Sequence, residues 1–315
     1  MLRQRVLSGS LLTVGVIALL LADGWLASRP YPQWPLAGID LGPWLCNGAL
    51  STLLVLVLSA LAAREVIGFV RMAGYRPNRV VVQLFAAGLV VGPYLSFNLR
   101  QEADWYDESW GMLWVAIALG LAFLLQAIRR GTQRATLNVA SAIFIIVYTG
   151  GLAGYMTRLR MEVGVESGGF TGIAVLLFSN FLVKVNDVGA FFSGRLLGRH
   201  KLIPWLSPKK TWEGFFGGVS VTVVCSLTIG HWLHHAGVIT LPEGPFAHPW
   251  GLLWFGLLMA FFSVAGDLVA SLLKRDATVK DSGDSIPGMG GVLDVLDSPL
   301  LAAPMAWFFW TRLAV

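Results

Sequence analysis

The sequence predicts an all-α, polytopic integral membrane protein of about nine transmembrane helices, with its N-terminus in the cytoplasm. Three observations predict this. Of 315 residues, 56% are hydrophobic and only 13% charged, with a mean hydropathy of +0.68; soluble domains carry about a quarter charged residues. Apolar runs of the roughly 17–25 residues needed to cross a hydrocarbon core recur along the chain. Basic residues concentrate in alternate connecting segments.

In chain order, the apolar runs lie near residues 6–27, 41–62, 80–99, 110–128, 137–156, 170–191, 214–233, 250–273 and 297–313. The first comes after Arg3 and Arg5 as the core of a signal peptide would. It is counted as a span, because cleavage would not alter the orientation of the later helices. One set of connecting segments carries Arg3 and Arg5, then Arg64, Arg71, Arg76 and Arg79, then Arg129, Arg130 and Arg134. The same set continues with Arg195, Arg199, Lys201, Lys209 and Lys210, then Lys274, Arg275 and Lys280. Those are 17 of the 23 basic residues, against only Arg29, Arg100, Arg158, Arg160 and Arg312 on the other side. The excess of positive charge places the first set in the cytoplasm. Eleven of the thirteen tryptophans fall at or near the outer ends of spans, as an interfacial belt would; Trp205 and Trp212 lie instead in the longest polar segment. Cys46 and Cys225 form neither a disulfide framework nor a zinc pattern. Topology accounts for the net charge of +5, and no basic run interleaved with aromatics marks a nucleic-acid surface.

Two polar segments stand out on the cytoplasmic side. In the first, 184–218, Lys184, Asn186 and Asp187 end an apolar run. A charge at the bilayer centre costs roughly 2.5–3.5 kcal/mol on insertion scales, so such groups pair or face a polar cavity, unless they already lie at the interface with Lys184 snorkelling. Glycines 189, 194 and 198 then alternate with basic residues, and Ser207-Pro208-Lys209-Lys210-Thr211 leads into Glu213-Gly214 and a new helix. Basic groups and free N–H groups at a helix start suit phosphate, although the spacing is not that of a P-loop.

In the second segment, Asp267, Ser271 and Lys274 share one helix face at i, i+4, i+7, and Asp294 and Asp297 share another at i, i+3. Between them run Lys280-Asp281-Ser282-Gly283-Asp284, then Pro287-Gly288 and Gly290-Gly291, a sharply turning connection. A polar hairpin with capping aspartates is the bland alternative. Carboxylates converging from two helices, with hydroxyls nearby, favour Mg²⁺. A basic segment for phosphate beside an acidic one for metal, both on one membrane face, is the combination that phosphoryl or nucleotidyl transfer needs.

Ser271-x-x-Lys274-Arg275, then Lys280-Asp281, then Pro287-Gly288-x-Gly290-Gly291-x-x-Asp294-x-x-Asp297 resembles the signature of the phosphatidate cytidylyltransferases. Upstream, Asn186-Asp187, Gly194-Arg195 and Ser207-Pro208-Lys209-Lys210-Thr211-x-Glu213-Gly214 resembles a second stretch of that family. The resemblance covers about the C-terminal 130 residues. Met289 stands where the family usually has His, and Val295 where it usually has Arg. It implies that CTP and phosphatidic acid give CDP-diacylglycerol and pyrophosphate, the lipid phosphate attacking the α-phosphorus in line. It further implies Mg²⁺, with a second cation beside it, on Asp267, Asp294 and Asp297, with Asp187 as a further ligand. Lys274 would contact phosphate and Ser271 orient metal or substrate, so that Asp267, Ser271, Lys274 and Asp294 form the catalytic set. Arg195, Lys209, Lys210, Lys280 and Asp281 would hold CTP.

Two units are expected: residues 1–165 for scaffold, lipid access or dimer contacts, and residues 166–315 for catalysis. The expected setting is a bacterial inner membrane, with membrane lipids and a second copy of the chain as partners and no nucleic acid. A CTP-dependent lipid kinase, or a cytidylyltransferase for another lipid phosphate, would carry similar motifs. A cation transporter with Asp267 and Lys184 in its pathway fits less well, since no internal repeat is evident. His231, His234 and His235 have metal-ligand spacing but fall on the outer side, where solvated loop histidines are the simpler reading.

Overall fold

Long apolar helices dominate the computed structural model, which describes residues 2–29, 35–36, 39–99, 110–163, 170–241, 248–279, 282–283 and 290–313. The helices are α1 (Leu2–Ala27), α2 (Leu41–Cys46), α3 (Ala49–Met72), α4 (Arg79–Leu99), α5 (Trp110–Arg130) and α6 (Ala135–Ile145). They continue with α7 (Leu152–Glu162), α8 (Phe170–Leu197), α9 (Trp212–His235), α10 (Trp250–Asp276) and α11 (Leu293–Phe308). The described strands form two small antiparallel ribbons, β1 (Pro35–Leu36) with β2 (Ile39–Asp40) and β3 (Lys201–Ile203) with β4 (Ser207–Thr211). Helices dominate because a backbone inside a bilayer must satisfy its own hydrogen bonds.

Eight of the described helical segments are long and apolar enough to cross a membrane. The ninth predicted span, 297–313, falls on α11, whose 16 α-helical residues continue as a five-residue π-helix through Leu313. The predicted span 137–156 is longer than expected, because α6 and α7 are joined through a π-helical segment, Ile146–Gly151, into one rod ending at Glu162. Gly150 explains the junction: a Cβ there would meet the backbone of Ala86 at 2.5–2.9 Å, so only glycine lets the rod lie against α4. The carbonyl of Thr149 in the π-segment accepts a 2.8 Å bond from Ser59 Oγ on α3.

The extra turns of that rod correct the loop assignment of Arg158 and Arg160. Both lie in α7, and Arg160 is fully buried. Its Nε stands 2.7 Å from Asp23 Oδ2 of α1. Asp23 also accepts from Ser51 Oγ at 3.1 Å and from the backbone N–H of Leu50 at 3.2 Å, which ties α1 and α7 to the start of α3. In the C-terminal half, α9 packs on both α8 and α10, and α10 on α11. The aromatic cluster Phe178, Phe255, Phe309 and Trp310 fills the core between these helices. Because α11 also packs against α7 and α3, the two halves share a continuous interface.

Candidate active site

The polar residues of α8 sit well inside a helix that runs on to Leu197, not at its end as the apolar run suggests. Asn186 is buried there. Its Nδ2 donates to Ser263 Oγ of α10 at 3.3 Å, and its Oδ1 accepts from Thr222 Oγ1 of α9 at 3.4 Å. A buried amide needs such partners, and these rotate α8 so that the next residue, Asp187, faces α10. Gly218 permits the approach of α9, since a Cβ there would lie 2.8 Å from Asn186 Oδ1. Ser263 Oγ is 3.4 Å from Asp187 Oδ1. Lys184 is half-exposed but does more than reach for the interface. Its Nζ is 3.9 Å from Asp187 Oδ2 and donates to the carbonyl of Val295 at 3.2 Å. Val295 therefore serves through its backbone.

The ribbon β3–β4 folds the basic segment back over these helices. Thr211 ends β4 and caps α9, its Oγ1 accepting from the N–H of Gly214 at 3.1 Å. Glu213 clasps the other end of the ribbon, accepting from the N–H groups of Arg199 and His200 at 3.1 and 3.2 Å, with His200 Nδ1 at 2.6 Å. So held, Lys210 places Nζ 2.7 Å from Asp267 Oδ2 on α10. Asp267 Oδ1 accepts from Ser271 Oγ at 3.4 Å, one helical turn on.

These elements enclose a cavity of ≈ 560 Å³ lined by Asp187, Asp267, Arg195, Lys209 and Lys210, with Phe191 and Phe215 on its apolar side. Phe191, Phe192, Leu196 and Leu197 of α8 and Phe216 of α9 are exposed around it. The basic segment and one half of the acidic segment thus meet in one hollow bordered by apolar surface.

The other half forms a separate knot. Lys274 Nζ and Asp294 Oδ1 pair with each other at 2.7 Å. Asp294 Oδ2 accepts from the N–H and Oγ of Ser282 at 2.9 and 2.7 Å and from the N–H of Gly291 at 3.1 Å. Beside it, Glu65 of α3 accepts from the N–H groups of Val292 and Leu293, 2.9 Å each, and so holds the start of α11. Asp297 is buried one turn further along, within electrostatic reach of Asp267, Asp187 and Lys184. Lys280, Asp281 and Met289 lie outside the described residues. Ser263, Thr222, Ser282 and Glu65 are contributors that the motifs do not mark. Glu65 falls just past the predicted run 41–62 and beside Arg64, where the sequence reads it as a loop acid.

Among the described residues, no three Asp, Glu, His or Cys side chains converge closely enough to hold an ion as they stand. The donor chemistry nevertheless suits a hard divalent cation, because Asp187, Asp267 and Asp297 share one electrostatic environment with serine hydroxyls beside them. In this arrangement Lys184 neutralises Asp187 and Lys210 neutralises Asp267. The histidines lie at the far end of α9 from the cavity. There His248 joins them, its Nε2 2.7 Å from His231 Nδ1.

The profile of the cytidylyltransferase family matches residues 34–313. The chain belongs to the cytidylyltransferase family. Among its relatives, the phosphatidate cytidylyltransferase of Staphylococcus epidermidis is 28% identical over 264 residues, covering 84% of this chain and 91% of the relative. The chloroplastic phosphatidate cytidylyltransferase 5 of Arabidopsis thaliana is 31% identical over 291 residues, covering 84% and 67%. The phosphatidate cytidylyltransferase of Brucella suis is 39% identical over 164 residues, covering 52% and 54%. The matched region contains both polar segments, so membership rests on nearly the whole bundle as well as on the motifs.

Proposed function

We propose that this protein is a phosphatidate cytidylyltransferase, transferring the cytidylyl group of CTP to phosphatidic acid at the cytoplasmic face of a bacterial inner membrane. A single observation carries this reading. One cavity presents three cationic side chains, Arg195, Lys209 and Lys210, to two carboxylates, Asp187 and Asp267, and its rim is apolar. A triphosphate suits the cations, and the acyl chains of a lipid suit the rim. The two substrates come from different phases, which explains why charged residues line a cavity between membrane helices and its rim is apolar.

In the reaction, a phosphate oxygen of phosphatidic acid forms a bond to the α-phosphorus of CTP. The bond from that phosphorus to the oxygen bridging it to the β-phosphorus breaks, and pyrophosphate leaves with the electron pair. No protein nucleophile takes part. Lys210, Lys209 and Arg195 hold the triphosphate and stabilise charge as it moves to the leaving group. Ser263 and Asn186 orient Asp187, and Ser271 orients Asp267. Asp187, Asp267, Asp294 and Asp297 are the candidate donors to Mg²⁺ or to a pair of cations. Bound there, such a cation would neutralise phosphate oxygens. Lys274 is the phosphate contact of the 274–294 knot. In this reading residues 166–315 carry the chemistry and residues 1–165 brace it, through the packing of α7 on α8 and α11 and through Glu65 at the start of α11.

The test uses purified protein, dioleoyl phosphatidic acid, Mg²⁺ and CTP labelled separately in cytidine and in the γ-phosphate. The expected result is cytidine label in the lipid phase and γ-label in pyrophosphate. Transfer of γ-label to a lipid alcohol, with CDP released, would instead establish a lipid kinase.

A further inference from the structure

A second concentration of cations lies in the N-terminal half, at the ends of α3, α4, α5 and α6. A cavity of ≈ 230 Å³ there is lined by Arg71, Arg76, Arg79, Arg129 and Arg130, and an adjoining opening of ≈ 710 Å³ adds Arg134. Among the described residues, no acid lines either space. Loop arginines are expected on this face of a membrane protein, but solvated ones would satisfy that rule. Here the arginines converge on a hollow, and Arg71 Nε is buried with no hydrogen-bond partner among the described residues. A buried guanidinium donor left unpaired beside like charges is costly unless an anion meets it.

The surroundings are rigid enough to be a site. Asn138 and Gln126 are both buried. Asn138 Oδ1 accepts from the N–H of Arg76 at 2.8 Å, and its Nδ2 donates to Gln126 Oε1 at 3.3 Å. Gln126 Nε2 in turn donates to the carbonyl of Gln133 at 3.2 Å, which fixes the turn between α5 and α6. Arg134 donates to the carbonyl of Gly74 at 3.1 Å, and Arg130 to that of Arg76. Below the cations the wall is apolar, formed by Ala122, Leu125, Val139 and Ala142, and Val80 and Ile128 beside it are exposed. Guanidinium groups match phosphate oxygens in geometry as well as charge. Cationic on one side and apolar on the other, with Val80 exposed at its edge, the cavity has the character of the basic interhelical pockets that receive phospholipid headgroups.

We propose that this cavity is a second, non-catalytic site for a phosphate group, supplied by the headgroup of an anionic membrane phospholipid. It shares a membrane face with the catalytic cavity, since α3 carries both Glu65, which holds the start of α11, and Arg71 less than two turns later. The inference does not depend on which lipid phosphate the catalytic cavity uses.

Native mass spectrometry of the full chain released from detergent tests it, with dioctanoyl phosphatidylglycerol, dioctanoyl phosphatidylcholine and inorganic pyrophosphate as probes. Phosphatidylglycerol should bind wild type in preference to phosphatidylcholine, and Arg71→Gln/Arg129→Gln should weaken it about 30-fold. Arg129→Lys should retain most of the binding, and Lys210→Gln in the catalytic cavity should retain all of it. Cytidylyl transfer at the wild-type rate, in micelles of an uncharged detergent with phosphatidic acid as the one added lipid, would show that the arginine variants are folded. Equal binding of the two lipids, or phosphatidylglycerol binding indifferent to the arginine substitutions, would overturn the site. Arginine-dependent binding of pyrophosphate, with no binding of phosphatidylglycerol, would overturn the lipid source.

Discussion

Two ion pairs in this protein have the same length and opposite settings. Asp23–Arg160 and Asp267–Lys210 both close to 2.7 Å. The first pair is 1% exposed on each side, its aspartate further satisfied by α3, and it lines no described cavity. The second is about a quarter to a third exposed, 23% for Lys210 and 34% for Asp267, and it opens onto a hollow of ≈ 560 Å³. Distance alone does not separate a brace from a reactive site. What separates them is the space beside the pair and whether the remaining lone pairs and protons are already used.

The contrast predicts opposite phenotypes. The largest effect is expected at the brace. Asp23→Ala strands a buried guanidinium and should lower stability by about 3–5 kcal/mol, read by denaturant titration in detergent. The fraction that remains folded should still transfer cytidine at close to the wild-type rate. Lys210→Gln should do the reverse, lowering kcat by about 10²–10³-fold, or about 2.7–4 kcal/mol, while the unfolding midpoint barely moves. If Lys210→Gln lost stability and Asp23→Ala lost activity per folded molecule, the two roles would be exchanged. The smallest effect belongs to Thr211→Ala, which removes the cap of α9 beneath the ribbon. It should cost about 1 kcal/mol of stability, and it sharpens the comparison by loosening Lys210 without removing it. A modest rise in KM for CTP is the expected kinetic trace.

The membrane class is legible in the sequence because hydropathy and charge alternation are local properties. Asp267, Ser271 and the basic segment around Lys210 are legible too, because their spacing fixes a shared helix face or a shared ribbon. The meeting of Asp23 and Arg160 is not, since 137 residues separate them and neither lies in a motif. Arg158 and Arg160 look like loop residues because polar side chains end an apolar run, although the helix continues through a π-segment to Glu162. The same effect makes Lys184 and Asp187 look like the end of a helix that in fact runs on to Leu197. Spacing joins Asp294 to Asp297, but packing gives them different surroundings: Asp294 is used by Lys274, Ser282 and Gly291, and Asp297 faces the cavity cluster. The role of Glu65 depends on α3 touching α11, which no local pattern encodes.

The measurement that tests the central claim most directly is cytidine incorporation into lipid by Asp267→Asn, compared with wild type at equal folded protein. If the cavity between α8, the β3–β4 ribbon and α10 is the site of transfer, incorporation should fall about 10²–10³-fold with an unchanged unfolding midpoint. Wild-type incorporation by Asp267→Asn would contradict the account and move the chemistry to another part of the molecule.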